Sequence, residues 1–118
     1  MKVLVVDDSN TMRRIIQPQL EGMGITSIVE ASNGEEAMGV LQQNMPVDII
    51  MLDWNMPVMD GITFLKKTRA DATYKNVKII MCTSESEKTR VVEALKEGAN
   101  NYIVKPFTPE GVKEKLGL

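Results

Sequence analysis

Four short apolar runs punctuate the chain, and each ends at a polar or charged residue. Val3-Leu4-Val5-Val6 stops at Asp7-Asp8, and Ile49-Ile50-Met51-Leu52 stops at Asp53. Val77-Lys78-Ile79-Ile80-Met81-Cys82 stops at Thr83, and Tyr102-Ile103-Val104 stops at Lys105. Ile25 to Val29 is a weaker strand candidate, because Thr26 and Ser27 interrupt it. Runs that are apolar at successive positions suit strands covered on both faces, which means a parallel sheet.

Amphipathic stretches lie between these runs. Met12, Ile15, Ile16, Leu20 and Met23 share one helical face, opposite Arg13, Arg14 and Glu21. Ala37, Met38 and Leu41 follow Asn33-Gly34-Glu35-Glu36, whose acids suit a helix N-terminus. Ile62 and Leu65 mark a third helix. Val91, Val92 and Leu95 mark a fourth, with Gly98 at its C-terminal end. Thr108-Pro109-Glu110 reads as a cap followed by proline in the first turn of a short fifth helix carrying Val112 and Leu116. Five βα units predict a doubly wound α/β sheet with right-handed crossovers. Pro18 falls inside the first helix, where it removes the hydrogen bond to the Arg14 carbonyl and costs about 3 kcal/mol. The apolar stripe continues past it, so a kink is expected there rather than an end.

Composition narrows this picture. The 118 residues are expected to form one domain, residues 1–118. They are 43% hydrophobic, enough for one continuous core without a metal or disulfide staple. Cys82 is the only cysteine, so no internal disulfide can form, which suits a reducing compartment. A net charge of -2 argues against nucleic acid as the direct partner. No apolar run approaches the roughly 20 residues of a membrane span, and the N-terminus reaches two acids too early for a signal peptide. A cytoplasmic, monomeric protein is expected.

In an open parallel sheet all strand carboxyl ends lie along one edge, where ligands bind. Asp7, Asp8, Asp53, Thr83 and Lys105 therefore converge on one pocket, although the chain spreads them from position 7 to 105. Crowded carboxylates repel, so one holds a proton or a cation sits among them. Asp8 and Asp53, with water and a carbonyl oxygen, make a hard oxygen site that suits Mg2+. A metal, the Lys105 ammonium and the Thr83 hydroxyl can neutralise phosphoryl oxygens. An aspartate carboxylate can be the nucleophile, and Asp53 ends the strand expected beside the first. Taken singly, an aspartate after a strand reads as a turn or cap, and Lys105-Pro106 as a loop; the weight lies in the set.

Leu4-Val5-Val6-Asp7-Asp8-Ser9, Leu52-Asp53-Trp54-Asn55-Met56-Pro57-Val58-Met59-Asp60-Gly61, Thr83-Ser84 and Tyr102-Ile103-Val104-Lys105-Pro106-Phe107 resemble receiver domains of two-component response regulators. The likeness spans essentially the whole chain. Met12-Arg13-Arg14-Ile15-Ile16, Trp54 and Val104-Lys105-Pro106-Phe107-Thr108-Pro109 are most similar to the CheY-like chemotaxis branch. The resemblance implies a flavodoxin-like (βα)5 three-layer sandwich with strand order 2-1-3-4-5. It implies that Asp8, Asp53 and the Asn55 backbone carbonyl ligate Mg2+, and that Asp7 acts through water. It implies Asp53 as phosphoacceptor, Lys105 as its phosphoryl contact, Thr83 and Tyr102 as switch residues, and a cis Lys105-Pro106 bond. Asn55 and Glu85 resemble the pair that tunes dephosphorylation. The implied partners are a CheA-like histidine kinase, a flagellar motor switch protein docking on the fourth helix, fifth strand and fifth helix, and a phosphatase. The implied role is a signalling switch, not an enzyme.

Other readings stay open. The chain can be a phosphate sink or the receiver of a DNA-binding regulator, although no linker follows Leu116. A phosphohydrolase of the haloacid-dehalogenase type needs a second acid two residues after the nucleophile, where this chain has Asn55. Flavodoxin-like cofactor binding lacks a phosphate loop. Trp54 reads equally as a cover for the pocket or as a residue with a direct role. Cys82 and the nine methionines read as core filling.

Overall fold

The computed structural model describes residues 1–84 and 89–118. Five strands alternate with five helices: β1 (Lys2–Val6), α1 (Asn10–Gly22), β2 (Ser27–Ala31), α2 (Gly34–Asn44), β3 (Ile49–Asp53), α3 (Gly61–Ala70), β4 (Lys78–Thr83), α4 (Val91–Lys96), β5 (Asn101–Val104) and α5 (Pro109–Leu116). A 3-10 turn, Ala72–Tyr74, which the sequence pattern had not indicated, follows α3. The sheet is parallel throughout, in the order β2-β1-β3-β4-β5. This is the doubly wound flavodoxin-like arrangement expected from the sequence.

The alternation of side chains along each strand splits the core into two layers. Leu4, Val6, Ile50, Leu52, Ile79 and Met81 face one side with α2, α3 and Ala94 of α4. Val3, Val5, Ile49, Met51, Ile80, Cys82 and Ile103 face the other with α1 and α5. Because both faces are covered, β3 is buried at every position, which is why its sequence is an unbroken apolar run.

Helix starts follow the local chemistry. The side chains of Ser9, Asn33, Asp60 and Thr108 each accept a backbone N–H in the first turn of α1, α2, α3 and α5. Each such cap is worth about 1 kcal/mol. Arg90, at the same position of α4, makes no side-chain cap.

Several expectations need correction. The second strand runs from Ser27 to Ala31 rather than Ile25 to Val29. Ile25 is instead a buried core residue ahead of it. Ser27 and Glu30 are exposed because β2 is an edge strand and is only partly covered. Val77 precedes β4, and Thr83 is its last residue rather than the residue after it. Ile15 is 44% exposed despite its place on the apolar stripe of α1. Val92 and Leu95 of α4 are also exposed, and the helix buries only Val91 and Ala94. As expected, α1 does not end at Pro18, which lies inside the helix and faces solvent. Gly98 does close α4, in the left-handed region one residue past the cap.

Candidate functional site

The carboxyl edge of the sheet gathers the strand-end residues. Asp7 follows β1 and is 3% exposed; Asp53 ends β3 and is 7% exposed. Asp8 is exposed at the rim. The carboxylates of Asp7, Asp8 and Asp53 offer oxygens that all lie within 4.8 Å of one another. Lys105, just past β5, places its Nζ 3.0 Å from Asp53 Oδ1 and 3.3 Å from Asp7 Oδ2. A contact across 98 positions of sequence thus closes the pocket.

Each member is held by its local chain. The Asp7 N–H donates to the Ala31 carbonyl (3.1 Å), continuing the β1–β2 ladder. Asp7 Oδ1 accepts the Ser9 N–H at 2.9 Å, so both oxygens of Asp7 have protein partners. The Arg13 guanidinium donates to the Asp7 carbonyl and to Asn10 Oδ1, and pairs with Glu30 at 3.4 Å. It thereby ties α1 to the ends of β1 and β2. The Lys105 N–H donates to the Thr83 carbonyl at 2.7 Å, which fixes where the lysine leaves the sheet. The Lys105–Pro106 bond is cis, and so is Met45–Pro46.

The loop after β3 folds back on the strand end. The Gly61 N–H donates to the Trp54 carbonyl at 2.8 Å, and a Cβ on Gly61 would stand 2.2 Å from the Asp53 carbonyl oxygen. Only glycine permits that approach. Within the loop, Met59 N–H donates to the Pro57 carbonyl at 2.7 Å across Val58, whose φ is +69°. This is a three-residue turn centred on a β-branched residue in the left-handed region, a strained combination.

The electrostatics reflect crowding. Burial and then the nearby Asp7 charge push the Asp53 carboxyl up to about 6 from 3.8, although Lys105 and the Trp54 backbone pull it down. Burial pulls the Lys105 ammonium down, but its hydrogen bond to Asp53 and the charges of Asp53 and Asp7 outweigh that, and the net direction is up. Three carboxylates thus share one lysine among the described residues, and the excess negative charge is relieved by a proton or by a cation. The donor set is all oxygen and open on the Asp8 side, so it suits a hard cation that keeps several waters.

The remaining predicted residues sit around this core. Thr83 is 1% exposed, and its hydroxyl donates to the Ser84 carbonyl at 3.1 Å. Tyr102, half-buried on β5, lies under the Lys115 ammonium, which is 4.7 Å from the ring centroid. The Asn55 side chain is exposed, and its Oδ1 accepts a hydrogen bond from Arg90 at 3.2 Å. Trp54 is buried at 5% exposure, and its ring lies 5.6 Å from the Arg90 guanidinium. Glu85 lies outside the described residues. Cys82 is in the core, where burial pushes its thiol up. The role of Arg90 left no mark in the sequence pattern, because an arginine before a helix reads as ordinary surface.

Comparison with known proteins agrees with this geometry. Residues 3–117 match the family described as the response regulator receiver domain. A chemotaxis protein CheY homolog of Campylobacter jejuni is 53% identical over 116 residues, covering 98% of this chain and 89% of that protein. The structure of the Vibrio cholerae chemotaxis protein CheY4 superposes with a TM-score of 0.88 at 37% identity, covering 98% of this chain and 95% of that one. A probable two-component system response regulator/GGDEF domain protein superposes with a TM-score of 0.92 at 31% identity, covering 99% of this chain and 48% of that one. The chain belongs to the response regulator receiver domain family and is closely related to the CheY chemotaxis proteins.

Proposed function

We propose that this receiver takes a phosphoryl group onto Asp53 from a histidine kinase and so alters the face formed by α4, β5 and α5. The observation that carries the reading is the contact of Lys105 Nζ with both Asp53 and Asp7 at a cluster of three carboxylates. With its carboxyl near 6, Asp53 is mostly ionised at neutral pH and available as a nucleophile.

Mg2+ would be held by Asp8, Asp53 and the Asn55 backbone carbonyl, and when bound it supplies positive charge to the phosphoryl oxygens. Asp7, whose oxygens already meet Ser9 and Lys105, contributes through water. An Asp53 carboxylate oxygen attacks phosphorus as the P–N bond to the kinase histidine breaks. The electron pair leaves with the imidazole, which takes up a proton, and Asp53 becomes an acyl phosphate. Lys105 holds the carboxylate beforehand and contacts a phosphoryl oxygen afterwards. The Thr83 hydroxyl exchanges the Ser84 carbonyl for a phosphoryl oxygen, and Tyr102 turns into the space it leaves.

The chemotaxis name of the relatives favours the flagellar motor switch as the output partner and a CheA-like kinase as the donor. A second reading, a receiver that serves within a larger regulator, is favoured by the GGDEF relative, of which this chain matches 48%. A haloacid-dehalogenase-type phosphohydrolase is disfavoured, because Asn55 stands where that chemistry needs an acid and its side chain is engaged by Arg90. The domain is read as acting alone, as a cytoplasmic monomer.

Acetyl phosphate with Mg2+ is expected to add one phosphoryl group, read by intact mass, and Asp53→Asn to abolish it. Label that persists in the variant overturns Asp53 as acceptor. Lys105→Ala is expected to break the link between label and affinity for a motor-switch peptide; a full phosphorylation-dependent gain in affinity would count against that role.

A further inference from the structure

We propose that Arg90 is the positioning residue that ties α4 to the acceptor loop, so that a change of charge at Asp53 reaches α4 through it. The inference rests on the reading of Asp53 as phosphoacceptor and names the strut that carries its signal.

Arg90 stands immediately before α4, and its guanidinium reaches across the sheet edge to residues 35 positions away. Its Nη1 donates to Asn55 Oδ1 at 3.2 Å, and the same group lies 5.6 Å from the Trp54 ring centroid. Trp54 and Asn55 directly follow Asp53, so the segment whose side chains Arg90 contacts also carries the acceptor. A planar guanidinium can meet an amide oxygen and an aromatic face together, which an ammonium does less well.

The other end of the strut is a short helix. The α4 helix has six residues, buries two side chains and starts without a side-chain cap. The helices α1, α2, α3 and α5 each start with a side-chain cap. A short helix without a side-chain cap at its start follows what grips its first turn. Its exposed Val92 and Leu95 lie with Val91 and Tyr102 around a surface depression of about 320 Å3, so a shift in α4 reshapes an apolar patch. Phosphorylation adds roughly two negative charges beside the Asn55 segment and draws the guanidinium toward the site. The displacement passes to α4 because Arg90 adjoins its first turn.

The test compares amide hydrogen exchange of residues 91–96 before and after treatment with acetyl phosphate and Mg2+, scored on the labelled fraction. In wild-type protein the protection of these amides is expected to change on labelling. In Arg90→Ala that change is expected to shrink by about fivefold or more, the scale of ordinary coupling between sites. Arg90→Lys restores part of it. Asn55→Ala lowers it as well, and the double variant loses no more than Arg90→Ala alone, because the two side chains form one link. A wild-type response in labelled Arg90→Ala, or additive losses in the double variant, overturns the strut. Absence of label on the wild-type protein would instead overturn the acceptor reading, and this inference with it.

Discussion

Replacing Asp53 with asparagine is expected to stabilise the metal-free protein at alkaline pH and to leave it nearly unchanged in acid. The folded state raises the carboxyl from 3.8 to about 6, so the folded protein holds a proton that the unfolded chain has already lost. The stability contributed by this group is therefore full below pH 3.8 and is lost as pH rises through about 6. Each pH unit of displacement is worth about 1.4 kcal/mol, which sets an upper limit near 3 kcal/mol. Because the Asp8 side of the pocket opens to water, solvent screening reduces the expectation to about 1–2 kcal/mol. Asparagine carries no charge, and Lys105 keeps its contact with Asp7. The variant should thus avoid the cost of the ionised carboxylate without orphaning the lysine. Urea unfolding in EDTA at pH 4.5, 6 and 8 measures the difference directly. The gap should open between pH 4.5 and 8, and Mg2+ at pH 8 should narrow it by stabilising the wild type alone. A variant less stable than wild type at pH 8, or a gap independent of pH, would refute the claim that burial and the Asp7 charge dominate at Asp53.

Other consequences can be checked in the same way. Val58→Asn relieves the left-handed strain without the flexibility of glycine, and should raise stability by about 1 kcal/mol by urea midpoint; a lower midpoint refutes it. Arg69 donates to the carbonyls of Gly98, Tyr74 and Val77 and to Asn100 Oδ1 at 2.7–2.9 Å, so Arg69→Ala should cost about 2–4 kcal/mol in chemical denaturation. Arg69→Lys should recover less than half of that, because a point charge cannot reach four acceptors at once. Cys82, 2% exposed with its thiol pushed up by burial, should resist thiol reagents in the native protein and react only as fast as the chain opens.

The strand-end chemistry was legible from the chain because a parallel sheet leaves little choice. Runs such as Ile49 to Leu52 must be covered on both faces, and once five of them alternate with helices their carboxyl ends share an edge. Asp7, Asp53 and Lys105 could be brought together by that rule alone, and in the structure they meet at 3.0 and 3.3 Å. The helix starts at Asn33 and Thr108 were legible for a local reason, since a side-chain oxygen needs only the next turn of backbone. Periodicity misled where burial depends on neighbours. Ile15, Val92 and Leu95 keep the helical spacing of core residues, yet they stay 44–58% exposed. The β2 boundaries moved for a related reason: an edge strand is only partly covered, so its apolar pattern is weak.

What the chain determined by itself was thus the number and order of its elements and the identity of the residues at one edge, because these follow from backbone hydrogen bonding and burial repeated at short range. What only the tertiary structure decided was how those residues act on each other. The rise of Asp53 to about 6 needs the burial and the Asp7 carboxylate that folding brings to it. The grip of Arg90 on Asn55 and the stitching by Arg69 each join segments about 30 residues apart. A side chain that long can reach many partners, and only the packed fold selects one.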